Sequence, residues 1–326
     1  MQPIKIGFWG SEGHQIHGQM DRYPQLQPVA CGDMAPAAEQ KLKDKYPDMV
    51  VCDNFDDLLN VDGLQMVSLC SKQRADQIEI TIQALGRNIH VYAEKPCAII
   101  ESDLDRIIEA ASKSQATFHE MAGTVYDQPY WAMKQLVAEG VIGDVVQVLA
   151  QKSYPMHERR PQCELIDGGL VEQNGVHAMR FVEHLTGLKA TSTQAMQTPL
   201  GETRPGSDLQ MACHITGQLE NGGLYAVIAN YLNPTGFGTW GNEMVRVFGT
   251  KGMMESVDAG KRTRLVVGDQ DRGEIDTSGP APDWLSLVLD DVLGKNAMPI
   301  DLQTELQPTR TVIRARATVT QVVVPN

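Results

Sequence analysis

Over its first 120 or so residues the chain alternates short apolar runs with helix-forming stretches, and this constrains the fold more than any other feature. The strand-like runs fall at residues 4–9, 26–31, 50–52, 66–70, 90–93 and 116–121. Between them lie helical stretches at 35–45, with Pro36 near the start, at 76–85, and at 103–112 behind a cap-like Ser102. Strands separated by helices cannot pair as hairpins, so the pattern predicts a parallel, doubly wound sheet over residues 1–122.

After residue 122 the grammar changes. A helix at 129–139, a strand at 145–154 and a helix at 169–186 lead into strands at 209–219, 223–231, 243–248 and 264–267. Asn221-Gly222-Gly223 reads as a hairpin turn, which makes this second sheet mostly antiparallel. Helices at 284–293 and 304–321 close the chain. The expected fold class is α/β, with a Rossmann-type domain at 1–122 and a substrate-binding and oligomerisation domain at 123–326 built on an open sheet; its last helix could pack back between domains. With 28 basic against 41 acidic residues the net charge is −13, which argues against nucleic acid or anionic lipid as a partner. No stretch approaches a membrane span, the N-terminus lacks a signal-peptide design, and the six cysteines are scattered without a CxxC pair. A cytoplasmic protein with reduced thiols, acting on a small molecule, is the expectation.

The first strand runs into Gly7-Phe-Trp-Gly10-Ser11-Glu12-Gly13-His14, with a helix expected just after it. Glycines at such a turn let the backbone approach a pyrophosphate at a helix N-terminus. Glu12 occupies the place of the usual second glycine, and its carboxylate must turn away from a bound phosphate. The second strand ends at Asp33, near the spacing of a carboxylate that accepts the adenosine ribose hydroxyls and repels a 2′-phosphate; no basic residue follows it. NAD is therefore preferred over NADP. The alternative use of Asp33 is to cap the helix beginning at Ala35.

Two further segments carry candidate chemistry. The strand at 90–93 runs into Glu94-Lys95-Pro96, and proline, which has no N–H for a sheet ladder, leaves Lys95 at the carboxyl edge where ligands of such sheets bind. Cys70, Ser71 and Gln73, after the fourth strand, and Glu94 lie on the same expected cofactor edge. Within the helix at 169–186, Gln173, His177, Arg180 and His184 fall on one stripe, opposite Val171, Gly175, Ala178, Val182 and Leu185. By itself, a polar stripe of this kind reads as a solvated surface, which is the default for a lone histidine.

Taken in order, these pieces resemble the glucose-fructose oxidoreductase, inositol dehydrogenase and rhizopine-catabolism (Gfo/Idh/MocA) family. The likeness extends to Gly140-Val-Ile-Gly-Asp-Val-Val-Gln-Val, to Gly168-Gly169, and to Val245-Arg-Val-Phe-Gly-Thr-Lys-Gly-Met-Met-Glu255. It implies an oxidoreductase that oxidises CH–OH groups of a sugar or polyol, with Lys95 and His177 meeting over the nicotinamide. Lys95 would hold the substrate hydroxyl and stabilise alkoxide charge, and His177 would be the general base. It also implies that the open sheet builds a homo-oligomer, a dimer or tetramer. Three positions depart from the family pattern: Gln173 stands where many members carry Asp, Arg180 where an acid is common, and Tyr126 where an arginine is common. Without a carboxylate at 173, His177 is expected to be a weaker base. Tyr126, Tyr154, His157 and Arg160 are further substrate-contact candidates, and His157, Cys163 and His177 match no metal spacing, so no metal is expected. The departures keep open two rival readings, redox-neutral glycoside cleavage and non-catalytic nucleotide binding.

Overall fold

Residues 3–321 are described by the structure, a computed structural model. They form two units, one comprising the chain to Ala122 with Trp284–Glu305, the other Gly123–Asp283 with the chain from Leu306 onward.

The first unit is a six-stranded parallel sheet. Its strands are β1 (Ile4–Trp9), β2 (Leu26–Gly32), β3 (Val50–Cys52), β4 (Met66–Leu69), β5 (His90–Ala93) and β6 (Phe118–Glu120), in the order β3-β2-β1-β4-β5-β6. The order reverses between β1 and β4, so a crevice opens beyond their carboxyl ends. Ile4, Ile6 and Phe8 of β1 and all four residues of β4 are buried, as strands covered on both faces must be. The connecting helices are α1 (Pro36–Lys45), α2 (Phe55–Leu59), α3 (Asp76–Gly86) and α4 (Glu101–Lys113). Helix α2 was not foreseen; five residues are too few for a periodic signal, and the Asn54 side chain starts it by accepting the Asp57 N–H. Ser102 does not cap α4. It lies inside the helix, which begins behind Ile100 with Glu101 and Asp103 in its first turn, where acidic groups favour the dipole.

The second unit carries α5 (Tyr130–Ala138), β7 (Val145–Ser153), a π-helical turn at Leu170–Asn174 continuing as α6 (Gly175–Thr186), then β8 (Ala190–Thr198), β9 (Ala212–Leu219), β10 (Leu224–Asn230), β11 (Asn242–Gly249), β12 (Gly252–Val257), β13 (Arg262–Val267) and β14 (Gln270–Gly273). Further along the chain come α7 (Trp284–Val292), which belongs to the first unit, then α8 (Leu302–Ala317) and the short β15 (Thr320–Gln321). The sheet order is β14-β13-β12-β11-β7-β10-β9-β8-β15, antiparallel except for β7 with β10 and β8 with β15. Ala150, Ile215, Val227, Tyr225, Val245 and Val247 share one buried core with Val176, Met179 and Phe181 of α6, while alternate positions such as Met196, Leu224 and Ile228 are exposed. The sequence reading passed over β8, whose Thr-Ser-Thr-Gln run is polar on its open face, as well as β12 and β14.

The expected helix at 304–321 ends at Ala317. Thr318 turns its hydroxyl back onto the Ala315 carbonyl at 2.8 Å, and the β-branched run Thr318-Val319-Thr320 leaves the helix for β15. The stretch 284–305, expected in the second domain, packs with the first unit instead. Trp284 donates its indole N–H to Glu120 O at 3.0 Å, Glu305 accepts the Glu120 N–H at 2.6 Å, and His119 sits between Glu305 (3.0 Å) and Asp291 (3.2 Å). Burial alone would lower the His119 pKa, but the two carboxylates outweigh it and hold the value at about 9.

Candidate functional site

In the first unit the glycine loop closes over the ends of β1 and β4. Gly10 has φ +73°, and a Cβ there would stand 2.1 Å from the Cys70 carbonyl oxygen, so only glycine fits. Gly13 has φ +62°, and its Cβ would lie 2.5 Å from the Glu94 carboxyl carbon. Gln15, not singled out from the sequence, pins the loop to β4. It is buried, donates to Gly10 O (2.9 Å) and Ser68 O (3.1 Å), and accepts from the Ser68 hydroxyl (2.6 Å). A helix was expected after the loop; the segment is instead a seven-residue 3₁₀ helix at Ile16–Arg22. The Glu12 N–H goes to Cys70 O (3.3 Å), and that of His14 to Glu94 (2.6 Å), so these amides are engaged within the protein.

A cavity of about 180 Å³ lies beside the loop, lined by Gly10, Ser11, Glu12, Asp33, Met34, Ala35 and Lys72. Asp33 is exposed there in a left-handed conformation (φ +50°) and does not cap α1. The N-cap is Ala35, whose own N–H is bound by Ser11 Oγ at 2.9 Å. The Asp33 carboxylate thus faces a cavity at the ends of β1 and β2, where a ribose needs an acceptor, and Lys72 sets a cation in the same cavity as Glu12. These features fit the adenosine half of a dinucleotide.

Glu94 and Lys95 follow β5 directly, and both are 1% exposed. Gln77 fixes their backbone by donating to Glu94 O at 2.9 Å, and Glu120 accepts the Cys97 N–H at 2.8 Å. The Glu94 carboxylate meets the His14 ring at 2.9 Å and Arg74 at 3.9 Å. Burial alone would raise its pKa; His14, Arg74 and Lys95 together overturn that and hold it at about 2. Cys70 is fully buried, and burial, reinforced by Glu94, pushes its thiol well above the ordinary range; its sulfur lies 4.0 Å from the Glu94 carboxylate and its carbonyl takes the Glu12 N–H. Ser71 is buried with its hydroxyl unpartnered, and Gln73 is exposed in the loop ahead of α3.

In the second unit, residues 170–185 are buried except for two side chains, Gln173 and His177. The stripe is therefore not a solvated face, because its continuation, Arg180 and His184, is 1% and 2% exposed. Gln173 lies in the π turn, a local widening that re-aims side chains. His177 Nδ1 lies 3.2 Å from the Thr124 hydroxyl, which also accepts from Arg180 at 3.4 Å, so Thr124 and Arg180 orient the imidazole. Gln173 accepts from the Tyr154 hydroxyl. Behind Tyr154 stands Arg160, buried and bound to Asp167 (2.8 Å) and the Tyr231 hydroxyl (2.9 Å), with its guanidinium 4.7 Å over the Tyr231 ring. Burial and the nearby Arg160, Arg159 and Arg204 depress the His157 pKa and favour its neutral ring. Tyr126 is buried and stacked on Trp131 at 5.6 Å. The sequence reading did not single out Trp240, which is 57% exposed and stacks on Tyr154 (5.9 Å, 15°) beside His157 (5.5 Å). Its one signal was an aromatic set in the glycine-rich run Gly236-Phe-Gly-Thr-Trp-Gly241.

The fold and the loop–carboxylate pair are those of an NAD-binding Rossmann domain. Residues 4–121 match the oxidoreductase-family NAD-binding Rossmann fold, and residues 130–255 match the GFO/IDH/MocA C-terminal domain. The chain belongs to the Gfo/Idh/MocA family. It is 27% identical over 147 residues to inositol 2-dehydrogenase of Salmonella typhimurium, a match spanning 44% of this chain and 43% of that enzyme. It shares its fold with an oxidoreductase from Thermotoga maritima (TM-score 0.85, 22% identity, 96% of this chain and 97% of the other). An aldose-aldose oxidoreductase from Caulobacter crescentus, complexed with glycerol, also has this fold (TM-score 0.80, 17%, 97% and 98%).

Proposed function

We propose that the chain is an NAD-dependent oxidoreductase that interconverts a secondary alcohol and a ketone on a sugar, polyol or related hydroxylated metabolite. The observation that carries this reading is Lys95, a lysine buried to 1% exposure at the carboxyl edge of a parallel sheet, next to an ionised Glu94 that also anchors the glycine loop. A lysine is rarely buried without a task. Gly10, Ser11, Gly13, His14 and Asp33 would hold the dinucleotide, with the Asp33 carboxylate favouring a free ribose hydroxyl over a 2′-phosphate. When bound, the nicotinamide supplies the hydride chemistry. Lys95 donates a hydrogen bond to the substrate oxygen and stabilises the negative charge that grows as its proton leaves. His177 takes that proton, its ring oriented by Thr124, and Gln173 with Tyr154 positions a substrate hydroxyl. The relatives named for inositol and aldose chemistry support a polyhydroxylated substrate.

The exposed sheet face, where Met196 and Ile228 flank His214 in register, is the proposed self-association surface. The test is NAD binding by calorimetry, followed by NADH formation with a panel of sugars and polyols. Lys95→Ala should retain NAD affinity and lose turnover by about a hundredfold or more. Full turnover in that variant, or glycoside cleavage without NADH, overturns the assignment.

A further inference from the structure

The glycine loop of the first unit turns its amides inward. The Gly10 N–H goes to Gly32 O (3.0 Å), that of Glu12 to Cys70 O (3.3 Å) and that of His14 to Glu94 (2.6 Å). The segment behind the loop does not make up for this, because it is a seven-residue 3₁₀ helix whose leading Ile16 N–H is already taken by the Gln15 side chain at 2.9 Å. A phosphate at a Rossmann turn is ordinarily held by free amides at the start of an α-helix. Here the cavity beside the loop presents two carboxylates, Glu12 and Asp33. A pyrophosphate entering it would be repelled unless a cation stood in the same space.

That cation is Lys72. It is exposed, it lines the cavity with Gly10, Ser11 and Glu12, and it has no hydrogen bond or ion pair among the described residues. The other basic groups at the loop are engaged: Arg74, 4% exposed, donates to Ser71 O at 2.7 Å and faces Glu94 at 3.9 Å, and His14 is paired with Glu94 at 2.9 Å. A crossing of two loops holds Lys72 in place. Gly10 packs so closely on Cys70 that a Cβ would stand 2.1 Å from its carbonyl oxygen, and the Glu12 N–H bonds that same oxygen, two residues ahead of Lys72.

We propose that the Lys72 ammonium, in place of the loop amides, binds the pyrophosphate of the dinucleotide and offsets the Glu12 carboxylate beside it. This assignment deepens the nucleotide reading of the first unit and rests on it. A lysine is a point charge with three donors on a flexible stem, so it can reach phosphate oxygens that an inward-turned loop does not contact. Its exposure has a consequence. The attraction is open to screening, so affinity for phosphate-bearing ligands should depend on salt through this one side chain.

The experiment is calorimetry of the full chain with adenosine, ADP, NAD and NADP, at low and high potassium chloride, in the parent, Lys72→Gln and Lys72→Arg. Lys72→Gln should weaken ADP and NAD about tenfold and leave adenosine unchanged, and Lys72→Arg should recover most of the loss. Retained adenosine binding shows that the pocket itself is intact. Raising the salt should weaken ADP in the parent and do so much less in Lys72→Gln. ADP affinity in Lys72→Gln within about threefold of the parent, an equal loss for adenosine, a loss confined to NADP, or the same salt dependence in both proteins would each overturn the proposal. The two readings fail separately. ADP binding through Lys72 with no NADH formed from any sugar or polyol sinks the oxidoreductase assignment alone, and nucleotide binding indifferent to Lys72→Gln sinks only the role of the lysine. A parent that binds none of the nucleotides sinks both.

Discussion

Replacing Glu94 by Gln removes one charge from a buried site while keeping its shape. The carboxylate accepts the His14 N–H at 2.6 Å, pairs with the His14 ring at 2.9 Å, and faces an Arg74 that is itself 4% exposed. A carboxyl held at about 2 against an ordinary 4.5 corresponds to about 3 kcal/mol at about 1.4 kcal/mol per pH unit. Because Glu94 is nearly inaccessible, solvent screening removes little of this. The sign follows from the depressed pKa: the stabilisation is complete above pH 4.5 and is lost as pH falls toward 2. Glu94→Gln should therefore lose about 3 kcal/mol in urea unfolding at pH 7, and its deficit against the parent should shrink as the pH is lowered below 4.5. NAD affinity, measured by calorimetry, should fall as well, since the carboxylate fixes the turn at Gly13 and His14. A loss under about 1 kcal/mol, with no convergence at low pH, would show that Glu94 is not an ionised anchor and refute the account of the loop.

Three other outcomes test the first unit. His119, held at about 9 against an ordinary 6.5, contributes about 3 kcal/mol that is fully present below pH 6.5 and lost as pH rises through 9; His119→Gln should abolish this alkaline loss in unfolding measured from pH 6 to 9.5, and parallel pH curves for parent and variant would count against the buried ion cluster. Gly10→Ala meets a backbone carbonyl at a positive φ and should destabilise the fold by several kcal/mol in thermal melts. Gly13→Ala, also at a positive φ, pushes on the buried Glu94 carboxylate, so it should lower both stability and NAD affinity; an unchanged melt in either glycine variant would show that the loop is not seated as described.

Local pattern made much of the first unit legible. β1, β3 and β5 have the bounds expected of them, because short apolar runs between turn residues report strand burial directly. Lys95 at the end of β5 and Asp33 at the end of β2 follow from the same reading. The polar β8, the five-residue α2 and the change from α8 to β15 were hidden, since each is decided by neighbours and not by its own periodicity.

The sequence by itself determined the parallel sheet, the mostly antiparallel partner sheet, the family, and the spacing that puts Gln173 and His177 one turn apart. Tertiary structure decided what those residues touch. Gly13 is a glycine because Glu94, about eighty positions later, fills the space beneath it, and His119 is a cation because Glu305 and Asp291 return to it from the far end of the chain. Trp240 meets Tyr154 only because β11 pairs with β7 beside them. Periodicity is a local property that a chain carries in its order, whereas a buried charge or a stacked ring belongs to pairs that only packing brings together.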